Sequence, residues 1–452
     1  MGKFSHPVTD YCTLITDYLS AKYLISHDPI STKKWRQKMN LKEDLAVNGG
    51  NKLRTLPWPS RGHFGRKEKE AADRLFDKSI ESGNAFGYNG QEEEAFCQEF
   101  AEFLGGGYAD GVNSGTTSVH VALKALKPEP FSEVVVGAVT DPGGIMPVVE
   151  QSCIPVIADA APDSYNTGPE QVEAVITPRT SAIIVAHIGG EPMDIEGIMA
   201  VAKKHKLPVV EDCSQSHAAK VNGKYVGSFG DVSAFSIMFG KHFCSGGQGG
   251  MVFTKDYELY KAVRQASDRG KPFGIEKPNG NVISSLNFNM DELHAAIGRE
   301  QLKKLPGIVK KRQAFVQLLK DKGLGKFRSI IIPELLPGTE HSYWWWRLKV
   351  DSSELNCSKD EFCAALAAEG LPIAVTYRAA LPYTFDWFRN RAGKHPWNNP
   401  LYKGDPAQEP DTPNTFRVMD EHFNLPISEG WGKAEADDII AIIKKVENAF
   451  VK

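Results

Sequence analysis

Lys241 stands alone in a loop of glycine and serine between two apolar runs, residues 232–238 and 249–254. Both runs are β-branched and aromatic and read as buried strands. An amine drawn into the edge of such a sheet loses hydration, and its pKa falls. Once neutral, it can form a Schiff base with a carbonyl. Ser236, five residues earlier, can present a hydroxyl to a phosphate. Gly246, Gly247, Gly249 and Gly250 permit the tight backbone that a flat cofactor needs. Taken alone, such a lysine reads as a surface residue of a hairpin, because most lysines are exposed. The chemistry rests on what else the chain supplies.

Asn113-Ser114-Gly115-Thr116-Thr117 precedes a predicted helix. Backbone N–H groups and hydroxyls at a helix start suit a phosphate, although alone these residues make an ordinary N-cap. Val209-Val210-Glu211-Asp212 reads as a strand running into Cys213-Ser214-Gln215-Ser216-His217. Ligands of parallel sheets bind beyond the carboxyl ends of the strands. Asp212 is placed there to hold the proton of a pyridinium nitrogen, which would make the ring an electron sink. Alone it reads as a strand-end carboxylate capping the next helix. A phosphate loop, an acidic strand end and then a lysine form the set that pyridoxal phosphate requires.

The elements around these groups alternate. Strands are predicted over 132–139, 154–158, 181–187 and 207–212, with helices over 118–126, 145–152, 170–176 and 195–206 between and before them. Continuous apolar strands alternating with helices indicate an α/β fold, a mostly parallel sheet covered on both faces. Helices are also expected over 67–82 and 91–104, joined by the loop 83–90, which contains Tyr88. A long helical pattern over 291–323 contains Pro306, a kink or break, and leads towards a second domain. That smaller α+β domain has strands near 343–350 and 373–377 and helices near 359–369 and 434–450, with a long irregular loop over 391–414. The expected organisation is a helical extension over 1–45, a large domain over 46–310 and a small one over 311–452.

The 452 residues suffice for a large core and two domains, and the net charge of −3 gives no support for nucleic-acid binding. Seven scattered cysteines without a CxxC pair argue for free thiols in a reducing compartment, and against a disulfide framework or a zinc site. No apolar run reaches membrane-spanning length, and the N-terminus lacks the pattern of a secretion signal. The expectation is a cytoplasmic protein.

Together the residues resemble the DegT/DnrJ/StrS group of sugar aminotransferases, which have the fold type I architecture of pyridoxal-phosphate enzymes. The resemblance rests on Asn-Ser-Gly-Thr at 113–116, Glu-Asp-Cys-Ser-Gln-Ser-His at 211–217 and Phe-Ser-x-x-x-Gly-Lys-His at 235–242. Gly-Gly-Met-Val at 249–252 and Asn-Phe-Asn-Met-Asp-Glu-Leu-His-Ala-Ala at 287–296 extend it. Tyr377-Arg378 and Pro413-Asn414 look closest to the branch acting on cyclitol or aminoshikimate-type ketones. The resemblance implies a Schiff-base lysine at Lys241 and a partner of the pyridine nitrogen at Asp212. It implies Gln215 at the phenolic oxygen of the ring, Ser214 beneath the ring, and Gly115, Thr116 and Ser236 on the phosphate. Asn287 would reach the phosphate of a neighbouring subunit, so a homodimer with shared sites is expected. His187 and Arg378, with Tyr88, would shape the substrate pocket. The implied partners are an amino donor, glutamate or glutamine, and a keto sugar or cyclitol acceptor.

The chain departs from that pattern in places. Asp141, in Thr140-Asp141-Pro142-Gly143-Gly144, stands where an aromatic usually covers the ring. An unpaired buried carboxylate is costly, so Asp141 is expected to point to solvent, with Tyr88 or Phe239 covering the ring instead. The alternative is that Asp141 faces the pocket and binds hydroxyls or an amine of the substrate. Gln248 replaces a usual glutamate, Asn289 a usual arginine, and Met238 a usual histidine or glutamine. Alternative functions are a sugar dehydratase of the same fold, which would carry histidine in place of Lys241, and a cofactor-binding regulatory protein without turnover. His242 leaves a one-residue ambiguity, which counting forward from Ser236 resolves towards Lys241. Trp344-Trp345-Trp346 could wall a substrate site, but alternation in a strand would split them between two faces, which favours packing in the core.

Overall fold

The computed structural model describes residues 41–452, and nearly all of the extension expected over 1–45 lies outside the described residues. At the centre is a seven-stranded sheet. In spatial order its strands are Tyr108–Val112, Gly250–Thr254, Val232–Ser236, Val209–Asp212, Thr180–Ala186, Glu133–Gly137 and Ile154–Ala158. The last five run parallel to one another, and Gly250–Thr254 is antiparallel to both of its neighbours. Successive side chains alternate between two cores. Val134, Val136, Ile184 and Val210 face one, and Val135, Ile183, Val185 and Val209 face the other. Strands buried on both faces need apolar residues throughout, which is why they read as continuous hydrophobic runs.

The first core lies beneath the helices Gly115–Ala125, Pro142–Glu150 and Tyr257–Ser267. The second lies beneath Gln91–Phe103, Ile195–His205 and the first half of Glu292–Asp321. Helix starts carry side-chain caps. Ser114 accepts the Thr117 N–H at 3.1 Å, and Asp141 accepts the Gly143 N–H at 2.8 Å.

The C-terminal body has a three-stranded antiparallel sheet of Ile330–Ile331, Trp345–Val350 and His422–Pro426. The helices Lys359–Ala368 and Lys433–Phe450 and the end of Glu292–Asp321 complete its core. The chain enters this body early. Leu45 is buried in its core, the Ala46 and Leu53 N–H groups donate to the Glu369 carboxylate at 2.8 and 3.0 Å, and Arg54 pairs with Asp438. In return, Leu381, Phe388, Trp397 and Met419 join the core of the large sheet.

Three expectations change. The helix Glu292–Asp321 runs through Pro306 without a break. Pro306 is exposed, so its missing hydrogen bond falls on the solvent side, while Leu302, Leu305, Ile308 and Val309 hold the buried face. Residues 373–377 form no strand; Ala374 makes a single bridge to Asn424, and the chain then turns so that Tyr377 faces the large sheet. Residues 391–414 are irregular as expected, but they are not a free loop, because Arg391, Trp397 and Tyr402 are buried. No helix of the described residues is long and apolar enough to cross a membrane.

Candidate active site

The loop after Val232–Ser236 carries Lys241. Its backbone N–H donates to the Met238 carbonyl at 3.0 Å. Arg61 reaches in from the N-terminal segment, donating to the Lys241 and His242 carbonyls at 2.6 and 2.8 Å, and is itself paired with Glu429 at 2.9 Å. The lysine is 7% exposed. Burial brings its pKa down to about 8, while the charges of Asp212 and Asp141 pull it upward. At pH 7 about a tenth of such amines are neutral, far more than for an ordinary lysine.

Across the cavity, Asp212 ends its strand and is 6% exposed. Burial raises its pKa, opposed by hydrogen bonding from Ser214 and by the charge of Lys241. The Ser214 N–H donates to Asp212 Oδ1 at 2.9 Å, and the Ser214 hydroxyl accepts the Ser236 N–H at 3.0 Å. Gln215 is fixed at both ends, with its oxygen accepting the Gly189 N–H at 2.9 Å and its amide donating to the Tyr377 hydroxyl at 3.2 Å.

The third wall is the N-terminus of the helix Gly115–Ala125. Its first N–H groups have no intrahelical partner and carry the positive end of the helix dipole. Gly115 is required there, because a Cβ would lie 2.3 Å from that of Ser236. Gly144 is equally constrained, as a Cβ would meet the Thr140 hydroxyl at 2.3 Å. The half-open space between these walls is about 210 Å³, and its lining includes Gly115, Thr116, Asp212, Ser214, Gln215, Ser236 and Lys241. Asp141, Met238 and Gln248 also line it.

Other expected site residues lie elsewhere. His187 is fully buried outside the lining, with Nε2 bonded to Glu211 at 2.9 Å and Nδ1 accepting the Met193 N–H at 3.1 Å. Its two nitrogens are occupied, so it supports the strand end and is not available to a substrate. The ligand atoms of His187, Glu211 and Cys213 fall within 4.8 Å of one another, but the Glu211 oxygens are already taken by His187 and by the N–H groups of Gly227, Phe229 and Gly230. Arg378 is exposed and paired with Asp420 at 2.5 Å. Tyr88 is exposed and accepts from Arg269 and Lys271 at 2.5 and 3.1 Å. Asn287 is exposed, with its oxygen bonded to the Asn289 amide at 2.6 Å. None of these three lines the cavity of this chain.

Asp141 does line the cavity, and neither Tyr88 nor Phe239 does. The solvent-facing placement expected for Asp141 is therefore incomplete. The helix begins at Pro142, earlier than the expected 145, and this makes Asp141 its N-cap at the cavity rim. There the carboxylate is exposed and needs no partner charge. His242 is fully buried behind the lining, 3.4 Å from His217 Nδ1, so Lys241 and not His242 reaches the cavity. Three groups escaped the sequence reading. Arg61 holds the lysine loop, Tyr377 anchors Gln215, and the Trp344 ring lies 4.0 Å from Lys241 Nζ. The Tyr377-Arg378 pair hinted at the second; nothing local in the sequence pointed to Arg61.

Residues 67–444 match the DegT/DnrJ/EryC1/StrS aminotransferase family. The chain belongs to this family. Among its relatives, L-glutamine:2-deoxy-scyllo-inosose aminotransferase of Micromonospora echinospora is 31% identical over 74% of this chain and 82% of that protein. GDP-perosamine synthase of Caulobacter vibrioides is 31% identical over 78% of this chain and 89% of that protein. The solved aminotransferase from Psychrobacter cryohalolentis superposes with a TM-score of 0.72 at 28% identity, covering 86% of this chain and 98% of that one. The family depends on pyridoxal phosphate, and the cavity suits that group. A helix N-terminus with Thr116 and Ser236 hydroxyls suits a phosphate, a buried carboxylate suits a pyridinium N–H, and a buried lysine of lowered pKa suits an aldehyde.

Proposed function

We propose that this aminotransferase moves the amino group of glutamate or glutamine onto a keto carbon of a sugar, free or nucleotide-linked, or of a cyclitol. The observation that carries the reading is the buried amine of Lys241 sharing one small cavity with the buried carboxylate of Asp212 and a helix N-terminus. Gly115, Thr116 and Ser236 would hold the phosphate of pyridoxal phosphate. Bound there, the cofactor supplies a carbonyl to take up the amine and a ring to accept electrons. Asp212 keeps the ring nitrogen protonated, with Ser214 fixing its orientation. Gln215, pinned by Gly189 and Tyr377, presents its amide edge to the phenolic oxygen. Lys241, with its pKa lowered by burial to about 8, carries a proton to and from the carbon that loses or gains nitrogen.

Asn287, in this reading, reaches the phosphate at the cavity of a partner in a two-fold homodimer, and Tyr88 and Arg378 shape the substrate pocket outside the cofactor cavity. The six unpaired cysteines among the described residues are in keeping with a reducing, cytoplasmic setting. Lysine rather than histidine at position 241 argues against a dehydratase. The test is mass spectrometry of products formed by the pyridoxamine-loaded protein with a panel of keto sugars and cyclitols. The expected product is an amine in place of one ketone. Loss of water without amination would replace this reading with the dehydratase, and no product together with no keto acid released from glutamate or glutamine would leave a binding protein.

A further inference from the structure

Lys241 is a buried ammonium without an ordinary partner. No hydrogen bond or ion pair to its Nζ occurs among the described residues, although Asp212 and Asp141 share the cavity wall. What Nζ does meet is the face of Trp344, 4.0 Å from the ring centroid. That ring is pinned from two sides. Its indole N–H donates to the Gly240 carbonyl at 3.0 Å, and its backbone N–H donates to the Gly189 carbonyl at 2.9 Å. The residue before it, Tyr343, has φ of 50°, a left-handed conformation that a bulky residue adopts at a cost. The Tyr343 carbonyl is held by Arg312 at 2.8 Å. The turn that presents Trp344 is thus both strained and anchored.

We propose that Trp344 is a positioning residue for Lys241: its indole face receives the free ammonium through a cation–π contact and holds it at the cavity wall. A free lysine amine beside two carboxylates would otherwise swing onto one of them. An ion pair with Asp212 would block the carboxylate that the ring nitrogen needs, and would raise the amine out of the range in which it can pass a proton. A neutral π face stabilises the charge more gently, by an amount that shifts a titration by about half a unit at exposed sites and more when desolvated. The other charged or titratable groups around Lys241 are Arg61 on its carbonyl, and His217 and His242, which burial keeps neutral. The catalytic value of the contact rests on the role proposed for Lys241; the contact itself does not.

The experiment therefore needs no cofactor. The cofactor-free protein is acylated competitively across a pH series, and modification of the peptide containing Lys241 is followed by mass spectrometry. Trp344→Leu should lower the titration midpoint of Lys241 by about half a pH unit or more, roughly a threefold change in the protonated fraction ratio. Trp344→Phe, which keeps a ring and loses the indole N–H, should restore most of the shift. An unchanged or raised midpoint in Trp344→Leu would overturn the proposal, since the ring would then only exclude water. Should the leucine variant not fold, tetrafluorotryptophan at position 344 keeps the shape and weakens the π face. It must lower the midpoint in the same direction, and no shift there overturns the proposal equally. In the loaded enzyme, the acid limb of the kcat profile should move with the midpoint. Failure to take up pyridoxal phosphate would count against the proposed function while leaving the labelling result intact.

Discussion

Two carboxylates border the Lys241 cavity, and their surroundings give them different tasks. Asp212 is buried and its pKa is raised, so it is a strong partner for a ring N–H that brings its own charge. Asp212→Ala should still bind cofactor but turn over about a hundredfold slower, the scale of losing one preorganised electrostatic contact. Near-normal turnover would remove Asp212 from the mechanism. Asp141 is exposed and spends one oxygen on the Gly143 N–H. Asparagine caps as well as aspartate, so Asp141→Asn should leave the thermal midpoint unchanged while removing a negative charge. Because that charge raises the Lys241 pKa, its loss should move the amine's titration further below 8, to lower pH; a rise would contradict the placement of the carboxylate. Much of this constellation was legible in the sequence, because phosphate, pyridinium and aldehyde each demand a residue type at a strand or helix end. Trp344 was not. Alternation along a strand favours packing over a substrate wall for all three tryptophans, whereas Trp344 sits ahead of Trp345–Val350, in the turn set by Tyr343. The family resemblance places His187 at the substrate pocket, but the bonds that take up its ring, to Glu211 and from the Met193 N–H, are not written in the local sequence.

The lysine loop depends on elements that come together only in the folded chain. Glu429 accepts from Arg61 and Arg312, each at 2.9 Å, and Arg61 in turn grips the loop carbonyls. Interaction with His63, Arg312 and Arg61, acting against burial, depresses the Glu429 pKa. A depressed carboxylate contributes stability that is complete above the ordinary glutamate pKa and is lost as pH falls below that range. Glu429→Gln should therefore cost about 3 kcal/mol at neutral pH by leaving Arg312 buried without its counter-charge. The gap between variant and wild type should narrow as the solution is acidified, and a gap that widens in acid would contradict the assignment. No spacing rule links residues 61, 312 and 429, so this brace was invisible beforehand. The periodic helices and apolar strands around it were visible, because burial on one or both faces writes itself into the local pattern.

At the scale of the whole molecule, Asn287, Tyr88 and Arg378 are exposed on a chain whose own cavity they do not line. The shared dimer site proposed above makes a sharp expectation. Lys241→Ala and Asn287→Ala should each be impaired, and mixing the two should restore about a quarter of wild-type activity, because half the dimers are hybrids with one intact site. No restoration would mean that Asn287 acts within its own chain or not at all. The most direct measurement concerns Lys241 itself. The protein loaded with pyridoxal phosphate is reduced with borohydride and digested, and the pyridoxyl-bearing peptide is identified by mass. The tag should fall on Lys241, and Lys241→Ala should lose both the tag and the visible absorbance of the bound cofactor. A tag on another lysine, or full absorbance in Lys241→Ala, would contradict the account.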